Sequence, residues 1–277
     1  MTETVIGRAE RFRRGSWLER GVDRLRGSRR LAPPPILRRL HEAVLDRLPG
    51  DHLVSVLPCG ERIRLSARHR SLSWNPEEYR AFRDAVRPGA IVLDVGANVG
   101  AYTLLFSQWA GQSGRVFAFE PSPSAASGLR RHVELNDARN VEIIEAAVSD
   151  REGYAALYDD GVAGRSSLIA VADHPSTTTV KTMTIDRFCG ERSLAPDVVK
   201  IDVEGVEADV LRGACRTLAS DTTVAFVEFH PSVWRSRNDD ACTLVRELEA
   251  QGLEPEPLDA QFDVWSTEGV SVRLRRK

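Results

Sequence analysis

The chain has 277 residues, enough for one large domain or two small ones. Its composition, 42% hydrophobic and 28% charged, is ordinary for a globular protein, and no apolar run is long enough for a transmembrane helix. The net charge of −2 argues against a molecule that is drawn as a whole to nucleic acid. We therefore expect a soluble protein without a transmembrane segment and without a nucleic-acid partner.

The four cysteines are Cys59, Cys189, Cys215 and Cys242, and they are widely separated without any CxxC pair. This spacing favours neither a zinc site nor a disulfide framework, and it indicates a reducing compartment. The N-terminus lacks the short apolar core of a secretory signal. Together these features predict a cytoplasmic location.

Basic residues are concentrated at the N-terminus. Residues 1–40 carry 11 arginines against 4 acidic residues, whereas the remainder carries 27 lysines and arginines against 36 acidic residues. We expect residues 1–70 to form a basic, partly helical extension, with a short helix over 36–48, and residues 71–277 to form the main domain. The extension is either a solvated leader or a segment that docks an anionic surface or partner.

Strands and helices alternate from residue 75 onward. Asn75 and Pro76, followed by two acidic residues, predict the start of a helix. The apolar and amphipathic segments that follow predict strands at 91–95, 116–120, 141–145, 198–202 and 223–229, and helices at 101–110, 122–136, 210–218 and 240–250. Segments 152–159 and 176–185 predict a β-rich insertion, and segments 262–265 and 270–274 predict two closing strands.

This alternation predicts an α/β fold with a mostly parallel central sheet and helices on both of its faces. In such sheets ligands bind beyond the carboxyl ends of the strands, near the point where the strand order reverses. The side chains that directly follow Val95, Phe119, Ile201 and Phe229 are therefore the first candidates for a binding site.

The stretch IVLDVGANVGAYT places a turn with two glycines, Gly96 and Gly100, directly after a predicted strand. Asn98 stands where a dinucleotide-binding turn needs its second glycine, and a Walker loop would need a lysine. Asp94 would repel a phosphate but suits a ligand with a positive end, such as S-adenosylmethionine. Glu120 follows the second strand and could accept hydrogen bonds from both ribose hydroxyls of that ligand.

Several motifs occur in order between residues 75 and 230, among them VLDVGANVGAYT, FAFEPSP, EAAVSD, VVKIDVEGVEADVLRGA and VEFH. They resemble the FkbM-type methyltransferases, and KIDVEGVE is the most distinctive segment. The resemblance implies a Rossmann-like class I methyltransferase that uses S-adenosylmethionine and methylates oxygen, often on sugars or natural products. It further implies that Gly96, Asn98 and Gly100 line the methionine end of the cofactor. Glu120 would hold the ribose, and Ala147 would lie near the adenine.

Polar residues at the ends of the later strands are candidates for the acceptor side. A hydroxyl acceptor must lose a proton, and we expect Asp202 or His230 to be the base, with Glu204 and Lys200 as further catalytic candidates. Asp202 could instead hold the amino group of the cofactor, and Lys200 could simply pair with a carboxylate. Glu204 and Glu207 could simply begin the next helix.

Asp202 and Glu204 also raise the question of a Mg²⁺ site, because paired carboxylate oxygens suit that ion. No further carboxylate stands at a clear ligand spacing in the sequence. We therefore expect no metal site.

The remaining aromatic and imidazole side chains carry no clear functional pattern. His132 and His174 have no partner at an informative spacing, and we expect both at the surface. Trp234 and Trp265 are expected to pack in the core or at its rim.

The sequence thus predicts an S-adenosylmethionine-dependent O-methyltransferase that acts on a hydroxyl of a small molecule or glycan, with nitrogen and carboxyl acceptors left open. One alternative is an adenosylmethionine-binding module without turnover, in which the basic extension docks a carrier. Another is an NAD-dependent oxidoreductase, which Asp94 and Asn98 disfavour.

Overall fold

The computed structural model describes residues 52–69, 72–159, 166–169, 176–236, 241–265 and 269–277. Internal contacts divide the chain into two units between Tyr79 and Arg80. The boundary predicted between residues 70 and 71 stays a prediction. The basic leader, its predicted helix over 36–48 and His174 lie outside the described residues.

The first unit contains an antiparallel hairpin of β1 (His52–Val56) and β2 (Arg62–Ser66). The Tyr79 hydroxyl donates a 2.6 Å hydrogen bond to Glu61 and accepts one of 3.2 Å from the backbone N–H of Cys59. These two bonds attach Tyr79 to the turn of the hairpin. The sequence did not predict these strands.

Helix α1 (Pro76–Ala85) begins where the sequence predicted it. The side chain of Asn75 accepts hydrogen bonds from the backbone N–H groups of Glu77 and Glu78, at 2.9 and 3.2 Å. Two backbone donors that have no partner inside the helix are thereby satisfied.

The second unit contains strands and helices that alternate except at the β-rich insertion, at two helix pairs and at the C-terminal strand pair. Its first part comprises β3 (Ile91–Val95), α2 (Ala101–Ala110), β4 (Arg115–Phe119), α3 (Pro123–Leu135), β5 (Val141–Ile144), β6 (Ala147–Val148), β7 (Gly153–Asp159), β8 (Ser166–Ser167) and β9 (Ser176–Met183). Its second part comprises α4 (Ile185–Arg192), β10 (Val198–Ile201), α5 (Glu207–Arg212), α6 (Cys215–Leu218), β11 (Val224–Phe229), α7 (Pro231–Ser236), α8 (Ala241–Ala250), β12 (Leu253–Pro257) and β13 (Val270–Arg276). Within the described ranges, no helix has the length and apolar character needed to cross a membrane.

The central sheet has seven strands in the order β12-β13-β11-β10-β3-β4-β5. Strands β11, β10, β3, β4 and β5 are parallel, and β13 runs antiparallel to both of its neighbours. The chain moves outward from β3 in one direction and from β10 in the other, so right-handed crossovers place helices on both faces. The predicted α/β class with a mostly parallel central sheet is confirmed.

A second sheet of four strands, in the order β6-β9-β7-β8, forms the predicted β-rich insertion. Strand β9 runs parallel to β6 and antiparallel to β7. Ala147, Leu157 and Val180 are buried together in this sheet, and Leu168 packs against them. The insertion therefore has its own apolar cluster.

The C-terminal part differs from the sequence-based expectation. The predicted strand at 262–265 is wrong, because this segment forms bends and turns. The strand that pairs with β13 is instead Leu253–Pro257, at the edge of the sheet. An edge strand tolerates Pro255 and Pro257, since one side of it makes no ladder hydrogen bonds.

Two helices also differ from expectation. The single helix predicted over 210–218 is divided into α5 and α6 at Gly213, whose added Cβ would lie 2.1 Å from the carbonyl oxygen of Ser149. Helix α4 was not predicted, and it begins where the side chain of Thr184 accepts a hydrogen bond from the backbone N–H of Arg187. The division at Gly213 reflects a close contact with a distant segment, and the start of α4 reflects local capping. Hydrophobic periodicity shows neither feature.

Candidate active site

A cleft lies outside the carboxyl ends of β3, β4 and β10, where the strand order reverses. It encloses about 610 Å³, including the part that is open to solvent. Six of the residues that the sequence predicted for the site line it: Gly96, Asn98, Glu120, Ala147, Asp202 and Glu204. The fold thus brings residues from four separate segments to one place.

The turn after β3 passes very close to the end of β10. Gly96 has a φ of +77°, and a Cβ added to it would lie 1.7 Å from the carbonyl oxygen of Asp202. The backbone N–H groups of Gly96 and Ala97 both donate to the carbonyl of Phe119, at 3.0 Å. A side chain at position 96 is therefore excluded by both conformation and space.

The start of α2 is supported by α3. Gly100 has a φ of +91°, and a Cβ added there would lie 2.4 Å from Leu129 of α3. His132 is fully buried, and its Nδ1 donates a 2.7 Å hydrogen bond to the carbonyl of Val99. Burial lowers the pKa of His132, although the Val99 carbonyl raises it. The prediction of a surface position for His132 is wrong, because this side chain lies on the buried side of α3.

Asp94 belongs to an internal polar cluster. Its side chain is 1% exposed, accepts a 2.6 Å hydrogen bond from the Thr103 hydroxyl and lies 3.5 Å from Lys200 Nζ. The oxygen that faces Lys200, Oδ1, has no hydrogen-bond partner among the described residues. A contact between Asp94 and the cofactor stays a prediction.

Glu120 is held from both sides by backbone groups. Its Oε2 accepts a 2.8 Å hydrogen bond from the N–H of Asn98, and its Oε1 accepts one of 2.8 Å from the N–H of Ser122. Burial raises the pKa of Glu120 to about 7, although these two backbone N–H groups lower it. The carboxylate is thus fixed in the cleft and retains lone pairs for further donors.

An apolar wall of the cleft comes from the small sheet. Ala147 and Val148 of β6, Leu157 of β7 and the adjacent Leu168 line it. Ala147 therefore lies in the cleft, as the resemblance implied, while its contact with adenine stays a prediction. Leu157 and Leu168 were not predicted as site residues, because the strand pattern over 152–159 does not show which surface Leu157 faces and Leu168 lies outside the predicted strands.

Asp202 and Glu204 also line the cleft, and His230 lies close to both of them. One ligand atom from each lies within 4.8 Å of the others. Lys200 Nζ lies 3.3 Å from Asp202 Oδ2, so it contacts both Asp94 of β3 and Asp202, which directly follows β10. Ser167 of the small sheet donates a 2.9 Å hydrogen bond to the carbonyl of Glu204.

Glu207 is fully buried behind His230 and is fixed by three donors. Its carboxylate accepts hydrogen bonds from His230 Nδ1 at 2.7 Å, Trp234 Nε1 at 2.6 Å and the backbone N–H of Gly205 at 2.7 Å. Burial alone lowers the pKa of His230, but the hydrogen bond to Glu207 and the neighbouring carboxylates outweigh burial and raise it to about 10. Trp234 is 2% exposed and packs against Trp265, which confirms the expectation of core packing.

The sheet order, the glycine turn and the acidic residue after the second parallel strand define a Rossmann-like methyltransferase of class I. S-adenosylmethionine is the methyl donor of this class, and the cleft fits it: a carboxylate, Glu120, stands ready for paired hydroxyl donors beside an apolar wall. The chain belongs to the methyltransferase FkbM domain family, whose family model matches residues 94–252.

Two named methyltransferases are similar to this chain. The 2-O-methyltransferase NoeI of Sinorhizobium fredii is 29% identical over 160 residues, which are 52% of this chain and 64% of that protein. The hexuronic acid methyltransferase AglP of Haloferax volcanii is 30% identical over 171 residues, which are 60% of this chain and 66% of that protein. The matches therefore span slightly less than two thirds of the length of these relatives.

A solved structure, that of methyltransferase FkbM from Methylobacillus flagellatus, is similar at a TM-score of 0.44 and 16% identity. The likeness covers 72% of this chain and 50% of that chain.

Proposed function

We propose that this chain transfers a methyl group from S-adenosylmethionine to a hydroxyl of a small molecule, either a sugar or a natural product. The observation that carries the proposal is the placement of Glu120 and Asp202 in one cleft, at the ends of different parallel strands. The names of NoeI and AglP, a 2-O-methyltransferase and a hexuronic acid methyltransferase, support a sugar as the acceptor.

The cofactor would be held by groups that the turn and β4 already fix in place. Glu120 would accept hydrogen bonds from the ribose hydroxyls, and Ala147 would contact the adenine with the apolar wall behind it. Gly96 and Asn98 would line the methionine end. When bound, the cofactor supplies the methyl group from its sulfonium.

The acceptor hydroxyl would lie beside Asp202 and Glu204. The bound cofactor would supply the methyl group and keep the electron pair of the carbon–sulfur bond on its sulfur, and a carboxylate of the chain would take the hydroxyl proton of the acceptor. Of the two predicted bases, Asp202 lines the cleft directly, so we assign it this role. Lys200, 3.3 Å from Asp202 Oδ2, would orient that carboxylate.

The test is transfer of an isotopically labelled methyl group from S-adenosylmethionine to a panel of sugars, hexuronic acids and phenols. We expect labelled methyl ether on a sugar hydroxyl and a fall in kcat of about 10² to 10⁴ in Asp202→Asn, the range for loss of a general base. Asp221→Asn, at a side chain that is 91% exposed, is the matched control and should retain wild-type activity. Cofactor binding without transfer to any acceptor would contradict the proposal and favour a binding module without turnover.

Three further predictions belong to this proposal. The acceptor is a small molecule rather than a nucleic acid, consistent with the net charge of −2. The basic N-terminal extension is either a solvated leader or a segment that docks an anionic surface or partner. The protein works in the cytoplasm.

A further inference from the structure

Asp202, Glu204 and His230 combine two carboxylates and one imidazole at the ends of two adjacent strands. Asp202 and Glu204 follow β10, and His230 follows β11. Their ligand atoms lie within 4.8 Å of one another. Bonds of about 2.0 to 2.6 Å to one ion place its ligand atoms at most about 4 to 5 Å apart, so a single ion can reach all three.

We propose that Asp202, Glu204 and His230 bind one divalent transition-metal ion at the acceptor side of the cleft. The role of this ion rests on the proposed function, whereas its binding does not. The sequence showed only the two carboxylates. The third ligand, His230, follows the next strand and lies 26 residues after Glu204.

His230 is oriented as metal-binding histidines are. Its Nδ1–H donates to Glu207, a fully buried carboxylate that Gly205 and Trp234 hold in place. A carboxylate that accepts from one ring nitrogen orients the imidazole so that the other nitrogen faces the ion. Because the pKa of His230 is raised to about 10, the ion would displace the proton of that other nitrogen when it binds. In His230 that other nitrogen, Nε2, faces the carboxylates of the cluster.

The spacing around Nε2 leaves room for an ion. Nε2 lies 3.6 Å from Glu204 Oε2 and 3.9 Å from Glu228 Oε1, and both distances exceed those of a hydrogen bond. Lys200 contacts Oδ2 of Asp202, which leaves Oδ1 of that carboxylate for coordination.

The chemistry of the three ligands indicates which kind of ion would bind and which kind of acceptor that ion could hold. An imidazole nitrogen beside carboxylate oxygens suits a first-row transition ion better than Mg²⁺ or Ca²⁺, which take oxygen ligands. Three protein ligands leave positions open on the ion. An acceptor with two adjacent oxygens, such as a vicinal diol or a hydroxy acid of a sugar, could occupy them, and coordination would favour loss of the hydroxyl proton. The released proton would pass to the carboxylate of Asp202, the base assigned in the proposed function.

Binding is tested with Mn²⁺ alone as the probe, through the loss of the electron paramagnetic resonance signal of the free ion on titration with the full chain. We expect one Mn²⁺ per chain for the wild type and at least tenfold weaker binding in Glu204→Gln and His230→Gln. Glu207→Gln should weaken binding by about 10- to 100-fold, because Glu207 orients a ligand rather than binding the ion. Glu204→Gln changes a side chain that is 40% exposed, so it guards against loss of folding.

Glu120→Gln is the matched control, since it removes a carboxylate from the same cleft outside the cluster. It should weaken binding of S-adenosylhomocysteine and leave Mn²⁺ binding unchanged, and Glu204→Gln should do the reverse. A wild type that leaves the free Mn²⁺ signal intact at millimolar protein, or Mn²⁺ binding that Glu204→Gln and His230→Gln do not change, would overturn the metal site. Such a result would not contradict the proposed function, which is tested separately by the binding of S-adenosylhomocysteine.

Discussion

The backbone N–H of Asn98 donates a 2.8 Å hydrogen bond to the carboxylate of Glu120, across 22 residues of sequence. This bond joins the turn after β3 to the end of β4. The other oxygen of Glu120 is held by the N–H of Ser122. Because both bonds come from the backbone, the position of the carboxylate is set by the fold and is ready before a ligand binds.

Binding of S-adenosylhomocysteine should strengthen as the pH rises from 6 to 8. Burial raises the pKa of Glu120 to about 7, and only the ionised carboxylate accepts hydrogen bonds at both oxygens. The ionised fraction rises about tenfold over this range, so the affinity should rise by about the same factor. Calorimetric titration at several pH values measures this, with Glu120→Gln as the control that should show a flat profile around pH 7.

The raised pKa of Glu120 also affects folding: the free energy of unfolding should fall as the pH rises, whereas the affinity for the ligand should increase. Because the pKa of Glu120 is higher in the folded state than its ordinary value of 4.5, its contribution to stability is fully present below pH 4.5. This contribution is lost as the pH rises through about 7. Glu120→Gln should therefore reduce the fall in the free energy of unfolding between pH 5 and pH 8, measured with urea, and an unchanged slope would contradict the account.

Gly96→Ala should destabilise the protein far more than Gly252→Ala. Both glycines have positive φ, +77° and +69°, so both substitutions cost about 1 to 2 kcal/mol in backbone strain. The added Cβ would lie 1.7 Å from the carbonyl oxygen of Asp202 at position 96, whereas it would meet open space at position 252. We expect Gly96→Ala to lose at least about 2 kcal/mol more than the control in urea unfolding. Equal losses would mean that the turn does not press against β10.

Thr103→Val should cost about 1.5 to 3 kcal/mol, because it removes the hydroxyl that donates 2.6 Å to the buried carboxylate of Asp94. Thr103→Ser is the matched control: it keeps the hydroxyl and loses one buried methyl group, worth about 0.8 kcal/mol. Comparing the free energies of unfolding of the two variants and the wild type separates the contribution of the hydrogen bond from that of packing. If Thr103→Ser is as unstable as Thr103→Val, the loss comes from packing and not from the hydrogen bond.

The sequence predicted the central strands and the residues that follow them because both are local features. An apolar run that ends in a glycine turn, as at residues 91–100, shows a buried strand and the start of a ligand site at once. Glu120 could be assigned from its place after the second strand. The structure confirms that these segments lie next to one another.

The rest depends on contacts between distant segments, which no local pattern records. His132 has ordinary surface spacing, yet its ring reaches the carbonyl of Val99, 33 residues away. Leu157 and Leu168 line the cleft because the small sheet places them there. Glu207 follows a predicted strand like any helix-starting acid, and only its contacts with His230 and Trp234 distinguish it.

The most direct test of the central claim is calorimetric titration with S-adenosylhomocysteine, beside NAD⁺, for the wild type and for Glu120→Gln. The account predicts that the wild type binds S-adenosylhomocysteine with micromolar affinity and NAD⁺ far more weakly. Glu120→Gln should lose at least about tenfold in affinity, the value of one charge-assisted hydrogen bond of about 1.4 kcal/mol or more. Absence of binding by a folded wild-type protein, tighter binding of NAD⁺, or equal affinity in Glu120→Gln would contradict the assignment of the cleft to S-adenosylmethionine.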